Sequence, residues 1–146
     1  MAKELSKKTI DIIATTEDLI VSNSTKITKR MYEILFNKYP HVKKLFANQP
    51  ENQFMILAEA LSLFAVNIDR IDKLKPTLQA IASSHVKTNV KSGHYPMVGF
   101  SLLTAMEDVL LADATVELID AWRDAYQYLS EILIGMENNM YKEIKN

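Results

Sequence analysis

Apolar residues recur along this chain with the period of an α-helix. From Gln53, the positions Ile56, Leu57, Ala60, Leu61, Phe64, Ala65 and Ile68 follow at offsets of 3, 4, 7, 8, 11, 12 and 15. Such spacing keeps one stripe of a helix apolar over four turns. Three further stripes follow: Leu78, Ile81 and Ala82 with His85 in phase; Val98, Leu102, Leu103, Met106, Val109 and Leu110; and Ile119, Trp122, Tyr126, Leu129, Leu133 and Met140. Turn signals divide them. The pattern predicts a first helix from about Lys3 to Val21, ending at Ser22-Asn23-Ser24, and a second from about Thr25 to Tyr39. Pro40 stops the second, because a residue before proline is driven out of αR geometry. A short helical turn through Phe46 and a polar loop from Ala47 to Asn52 lead into the long helix at Gln53. Pro76 suits an early helical position, Gly93 marks a break, and Asp113 is placed to cap a last helix ending near Tyr141.

Composition narrows the class. Three glycines and four prolines cannot punctuate many short strands, so the chain reads as all-α. Its 146 residues form one domain, 1–146, with no repeat and no Pro- or Ser-rich linker. Seventeen basic and eighteen acidic side chains are interspersed and leave a net charge of -1, which provides no basic block to track a phosphate backbone. Nucleic acid is therefore not an expected partner. The absence of cysteine excludes disulfides and thiolate metal sites. No apolar leader follows Met1 to Lys8, and uninterrupted apolar runs such as Leu63 to Val66 are too short to span a bilayer. The sequence thus predicts a cytoplasmic protein without a membrane span.

Candidate chemistry lies in polar residues on faces that should be buried: Tyr32, Gln53, His85, Tyr95 and Glu137. Each needs a partner. His85 reads either as a satisfied core histidine or as an axial ligand for a large apolar cofactor. Tyr32 reads as a core aromatic with a boundary hydroxyl or as a donor to a ligand, and Gln53 as a first-turn surface residue or as a second donor. A carboxylate at Glu137 either snorkels past the helix end or finds a hydrogen-bond partner. Other chemistries lack their residues. A di-iron bundle needs Glu-x-x-His, yet Lys38, Ala82 and Lys91 stand three before His41, His85 and His94. There is no His-Glu-x-x-His helix, no Gly-rich phosphate loop, no G-x-S-x-G elbow and no cysteine nucleophile. One core-facing histidine among several helices instead points to a cofactor held between helices.

The order and spacing of several segments carry a resemblance. They are Tyr32-Glu33-Ile34-Leu35-Phe36 with Tyr39-Pro40; Leu45-Phe46; Gln53 and Leu57 to Asn67-Ile68; His85; and His94-Tyr95-Pro96-Met97-Val98-Gly99. Asp120-Ala121-Trp122, Ala125-Tyr126, and Glu137 with Tyr141 complete the pattern. Over essentially its whole length the chain resembles the bacterial single-domain haemoglobins of the flavohaemoglobin branch. The resemblance implies a globin fold, a 3-over-3 helical sandwich around haem b.

It also implies roles residue by residue. His85 matches the proximal ligand of the haem iron, and Phe46 the phenylalanine packed against the porphyrin. Tyr32 matches the distal tyrosine that donates to bound dioxygen. Gln53 and Leu57 match the distal glutamine and leucine, although the loop after Phe46 is shorter than in the relatives and leaves Gln49 as a rival for the glutamine. Tyr95 and Glu137 match the pair that hydrogen-bonds near the proximal imidazole and makes it more electron-donating. Ser84 departs from the lysine usual before the proximal histidine, which alters the expected propionate contacts. The implied activity is dioxygenation of nitric oxide to nitrate, with Tyr32, Gln53, Tyr95 and Glu137 as the catalytic set. No reductase domain is expected within the chain, so a separate reductase would supply electrons. An oxygen carrier uses the same residues, and a haem-based sensor or helical interaction module is the third expectation.

Overall fold

The computed structural model describes residues 4–145, which form six α-helices, those after α2 linked through 3₁₀ turns, with no strand among the described residues. Helix α1 (Lys7–Thr15) opens on Ser6, whose hydroxyl accepts the Thr9 N–H at 3.1 Å. The start predicted at Lys3 lies outside the described residues. Helix α2 (Glu17–Lys38) runs straight through Ser22-Asn23-Ser24, so the predicted break there is wrong. These polar side chains turn back onto their own helix: Ser22 donates to the Asp18 carbonyl at 2.7 Å, Asn23 to Leu19 at 2.8 Å and Ser24 to Val21 at 3.0 Å. Back-bonding of this kind lets a helix continue through residues that otherwise favour turns. The break falls instead at Thr16, which leaves helical geometry at φ -112° and ψ 14°.

Pro40 acts as expected, since α2 ends at Lys38 and Tyr39 stands at φ -126°, ψ 70°. A 3₁₀ turn over Pro40–Phe46 and a loop bring the chain to α3 (Gln53–Val66). After a 3₁₀ turn at Ile71–Leu74, α4 (Lys75–Lys87) begins with Pro76 in its first turn and carries His85. A left-handed Asn89 at φ 65° ends that helix. Helix α5 (Tyr95–Leu110) follows a 3₁₀ turn at Ser92–His94. Thr115, not Asp113, caps the last helix, α6 (Val116–Lys145): its hydroxyl accepts the Leu118 N–H at 3.1 Å. Asp113 closes a separate 3₁₀ turn too early to reach those amides. Helix α6 also continues past Tyr141.

Two apolar clusters hold the helices. The larger joins α1, α2, α3, α5 and the first half of α6 through Ile20, Ile27, Met31, Leu61, Met106 and Trp122. Full burial of such side chains contributes roughly 1.5–3 kcal/mol each. A smaller cluster, Leu74, Leu78, Ala82, Tyr95, Leu129 and Leu133, fastens α4 to α6. The segment Ser92–Asp113 is long and apolar enough to cross a membrane by length and composition alone. Here it packs between α2 and α6, with Ser101, Ala105 and Met106 fully buried. The main partner of α3 is α2 and that of α4 is α6, so these two consecutive helices rest on different supports. Ile56, expected on the buried stripe of α3, is half exposed.

Candidate functional site

His85, Tyr95 and Glu137 come from three helices and meet at one carboxylate oxygen. The Nδ1 of His85 lies 2.9 Å from Glu137 Oε2, and the Tyr95 hydroxyl donates to the same oxygen at 2.7 Å. Nδ1 and the Tyr95 oxygen are 3.1 Å apart. Glu137 does not snorkel: its side chain is only 3% exposed. A carboxylate so deeply buried needs donors, and the two it has assign the proton of the imidazole to Nδ1. Nε2 is left as the acceptor nitrogen, without a hydrogen bond among the described residues, on a side chain 31% exposed. Burial, and then the hydrogen bond to Glu137, push the Tyr95 phenol far above its ordinary range, so it remains a donor.

Further side chains steady this group. The Tyr126 hydroxyl donates to the Tyr95 carbonyl at 2.6 Å. Its ring lies so close to Gly99 that a Cβ there would sit 2.7 Å from Tyr126 Cε2, which explains a glycine inside α5. The Tyr141 hydroxyl donates to the Val90 carbonyl at 2.6 Å, and the Lys91 ammonium lies 3.9 Å over the Tyr141 ring. Val90 in turn donates its N–H to the His85 carbonyl at 2.9 Å, so α6 grips the turn that ends α4. The sequence puts Tyr126 on an apolar stripe and both Tyr126 and Tyr141 among the segments of the resemblance, but assigns neither a contact. No local signal marks such contacts, since their partners lie 31 and 51 residues away.

The second group hangs from α2, α3 and the turn between them. Tyr32, Phe36 and Phe46 form a triangle of rings with centroids 5.2–5.5 Å apart. Burial pushes the Tyr32 phenol up to about 12, while the Gln53 side chain at its hydroxyl opposes the rise. Gln53 is the first residue of α3, and the hydroxyl of Thr28 fixes that end of the helix by donating to the Phe54 carbonyl at 2.6 Å. Leu57, one turn on, packs with Tyr32 against the larger cluster. Gln49 sits half-buried in the preceding loop, its N–H bonded to the Phe46 carbonyl at 3.1 Å. Ser84 lies on the surface.

The donor set limits what could bind. Among the described residues no group of three or more His, Asp and Glu side chains could hold a metal ion. His85 alone offers a single nitrogen, so a metal held there must bring its remaining ligands with it, as the iron of a porphyrin does.

The Globin family profile matches residues 29–133. An uncharacterised globin-like protein of Aquifex aeolicus is 44% identical over 139 residues, covering 95% of this chain and 99% of its own length. A flavohaemoprotein of Oceanobacillus iheyensis is 39% identical over 97% of this chain, which spans only 36% of that protein. Among solved structures, a carbene transferase engineered from a Rhodothermus marinus protein described as a candidate nitric oxide dioxygenase superposes with a TM-score of 0.94. It is 32% identical, with 97% of this chain and 99% of that one covered. A bacterial globin of Campylobacter jejuni gives a TM-score of 0.85 at 31% identity, covering 94% and 99%.

Proposed function

Because the chain belongs to the globin family, we propose that it is a cytoplasmic haem-binding globin that binds dioxygen and converts nitric oxide to nitrate, with electrons from a separate flavin reductase. The observation that carries this reading is the anchoring of His85. Its Nδ1 is held by a buried carboxylate, and its Nε2 is left to ligate iron. Haem b would supply reversible dioxygen binding and the one-electron chemistry of the overall reaction, NO + O₂ + e⁻ → NO₃⁻, which balances in atoms and charge.

The chain's own residues supply the rest. The Glu137 carboxylate takes hydrogen bonds from both Nδ1 of His85 and the Tyr95 hydroxyl, which raises the electron-donating power of the imidazole. That favours oxygen activation over storage. On the other side Tyr32 stays protonated to about pH 12, so its hydroxyl is available as a donor in the neutral range, where developing negative charge on an oxygen is its best acceptor. Gln53, close enough to lower the Tyr32 pKa, would add an amide donor beside that hydroxyl. Phe46 and Leu57 would present apolar surface to a porphyrin and restrict water. Support for dioxygenation comes also from the Rhodothermus neighbour, whose fold and length match this chain.

A carrier would use the same donors, so the deciding measurement is turnover. Oxygenated protein is mixed with repeated additions of nitric oxide in the presence of a flavin reductase and reduced nicotinamide cofactor. Sustained nitrate production is expected. A single stoichiometric burst would leave the carrier, and a purified protein that stays colourless with haem present would remove both readings.

A further inference from the structure

The net charge of -1 conceals a separation of charge along the chain. No Asp or Glu occurs between Glu33 and Glu51, or between Asp72 and Glu107, whereas residues 107–137 carry eight carboxylates and one arginine. The two carboxylate-free stretches bear Phe46 and His85, and the fold brings parts of them together. The Lys38 ammonium lies 3.8 Å over the ring of Phe100, which sets the end of α2 and the turn after it against the first half of α5. The pKa of His94 is lowered first by burial and then by the charges of His41, in that turn, and of Lys91, at the turn that opens α5, so both lie close to it. Lys38, His41, Lys43, Lys44 and Lys91 are all exposed. Among the described residues none of these lysines is paired with a carboxylate, whereas Arg30, Arg70 and Arg123 all are. The centre of this basic surface is aromatic: Phe100 is 44% exposed and Tyr39 half-buried.

We propose that this surface, formed by the turn after α2 and the turn before α5, docks the acidic face of an electron-donating flavoprotein. An aromatic centre in a charged rim is the anatomy of a protein interface, and unpaired lysines attract an acidic partner over a distance without holding it long. Phosphate fits less well. None of these basic side chains is an arginine, whose planar fork matches a phosphate. Phe100 already has an ammonium on its face and Tyr39 meets His41 edge-on at 6.4 Å, so neither ring is a bare platform for a base. The proposal rests on the reading that haem bound by this chain is reduced from outside. The first turn carries Phe46, and the second joins the helix of His85 to that of Tyr95. A donor seated on both turns therefore approaches the site at the edge where its two walls meet. One electron passes from the donor's reduced flavin, which is oxidised, to ferric haem, which becomes ferrous, and no atom is transferred between the proteins.

The probe is reduced flavodoxin, a strongly acidic flavoprotein, mixed anaerobically with the ferric haem-loaded protein under carbon monoxide, so that each electron delivered appears as the carbonyl Soret band. The rate constant should fall at least about tenfold between roughly 0.02 and roughly 0.3 M salt. The triple variant Lys38→Glu, Lys43→Glu, Lys91→Glu should lose at least about tenfold at low salt. Lys7→Glu, Lys8→Glu, Lys26→Glu changes the net charge equally outside this surface and should lose less than about threefold. Should the first variant not fold, the same three positions changed to Gln should still lose at least about threefold. Equal losses at the two sets of positions, or a rate that ignores salt, overturn the docking surface. So does binding to phosphatidylglycerol vesicles or duplex DNA at about 0.15 M salt that only the first variant abolishes, since the surface then serves a phosphate partner. Excess dithionite gives the full carbonyl band in any variant that folds and takes up haem. A wild-type protein without that band fails the haem reading, and calorimetric titration with oxidised flavodoxin then tests the docking by the same variants.

Discussion

His85 and Tyr32 rest on different kinds of support. Around His85 the contacts are polar and directional: a carboxylate 3% exposed accepts two hydrogen bonds of 2.9 and 2.7 Å, and two more tyrosines brace the backbone that carries the donors. Around Tyr32 they are aromatic and broad, three rings at 5.2–5.5 Å with one glutamine at the hydroxyl. Hydrogen bonds to a buried charge fix angle and tautomer, since any rotation strands the carboxylate. Ring packing fixes position and leaves the hydroxyl free to turn. A side chain that must keep one orientation is thus set among charges, and one that must meet a passing ligand is set among rings.

Removing one side altogether gives the largest effect. His85→Ala should abolish the Soret band of the haem-loaded protein, and added imidazole should restore it, because the ligand nitrogen and not the fold is lost. A retained band without imidazole would mean that iron is held elsewhere. Glu137→Leu attacks the same side indirectly, stranding the donors of His85 and Tyr95. It should cost about 3 kcal/mol in denaturant unfolding, and Glu137→Gln, which keeps an acceptor, appreciably less. Equal losses in the two variants would show that shape and not hydrogen bonding matters there.

On the aromatic side the expected effects are smaller. The Tyr32 phenol is protonated in the fold up to about pH 12 and in the unfolded chain up to about 10, so above pH 10 the unfolded state loses the proton first. Its contribution is complete below pH 10 and disappears as pH rises towards 12, about 3 kcal/mol in all. Buried Tyr95 and Tyr126, shifted the same way, add to the alkaline loss. Tyr32→Phe should flatten this part of the stability profile. The same variant should release dioxygen about tenfold faster in stopped-flow measurements, the worth of one charge-assisted hydrogen bond. Unchanged release would place the hydroxyl away from the ligand.

The smallest effect concerns the turn that joins α4 to α5. His94 accepts the Lys91 N–H through Nδ1 at 2.8 Å, and burial, with His41 and Lys91 nearby, holds its pKa below 6.5. As pH falls from 6.5 the unfolded chain protonates first, so stability present at neutral pH is lost on acidification. Faster amide exchange at Lys91 below pH 6 than in His94→Asn is the expected sign.

Much of this was legible in the residues. Pro40, Pro76 and Gly93 mark element boundaries because proline and glycine act on the backbone locally. The break at Thr16 and the cap at Thr115 were not legible, since Ser22-Asn23-Ser24 and Asp113 offered equally good local signals. Side-chain back-bonding and the length of one turn chose between them. The five polar residues on apolar faces were visible as requiring partners. Their partners' atoms were not. Helical period determines which face a residue occupies, and each helix carries that information within its own residues. Where three faces converge depends on the summed burial of every helix pair. Only tertiary packing could therefore bring His85, Tyr95 and Glu137, separated by up to 52 residues, onto one carboxylate oxygen and press Tyr126 onto Gly99.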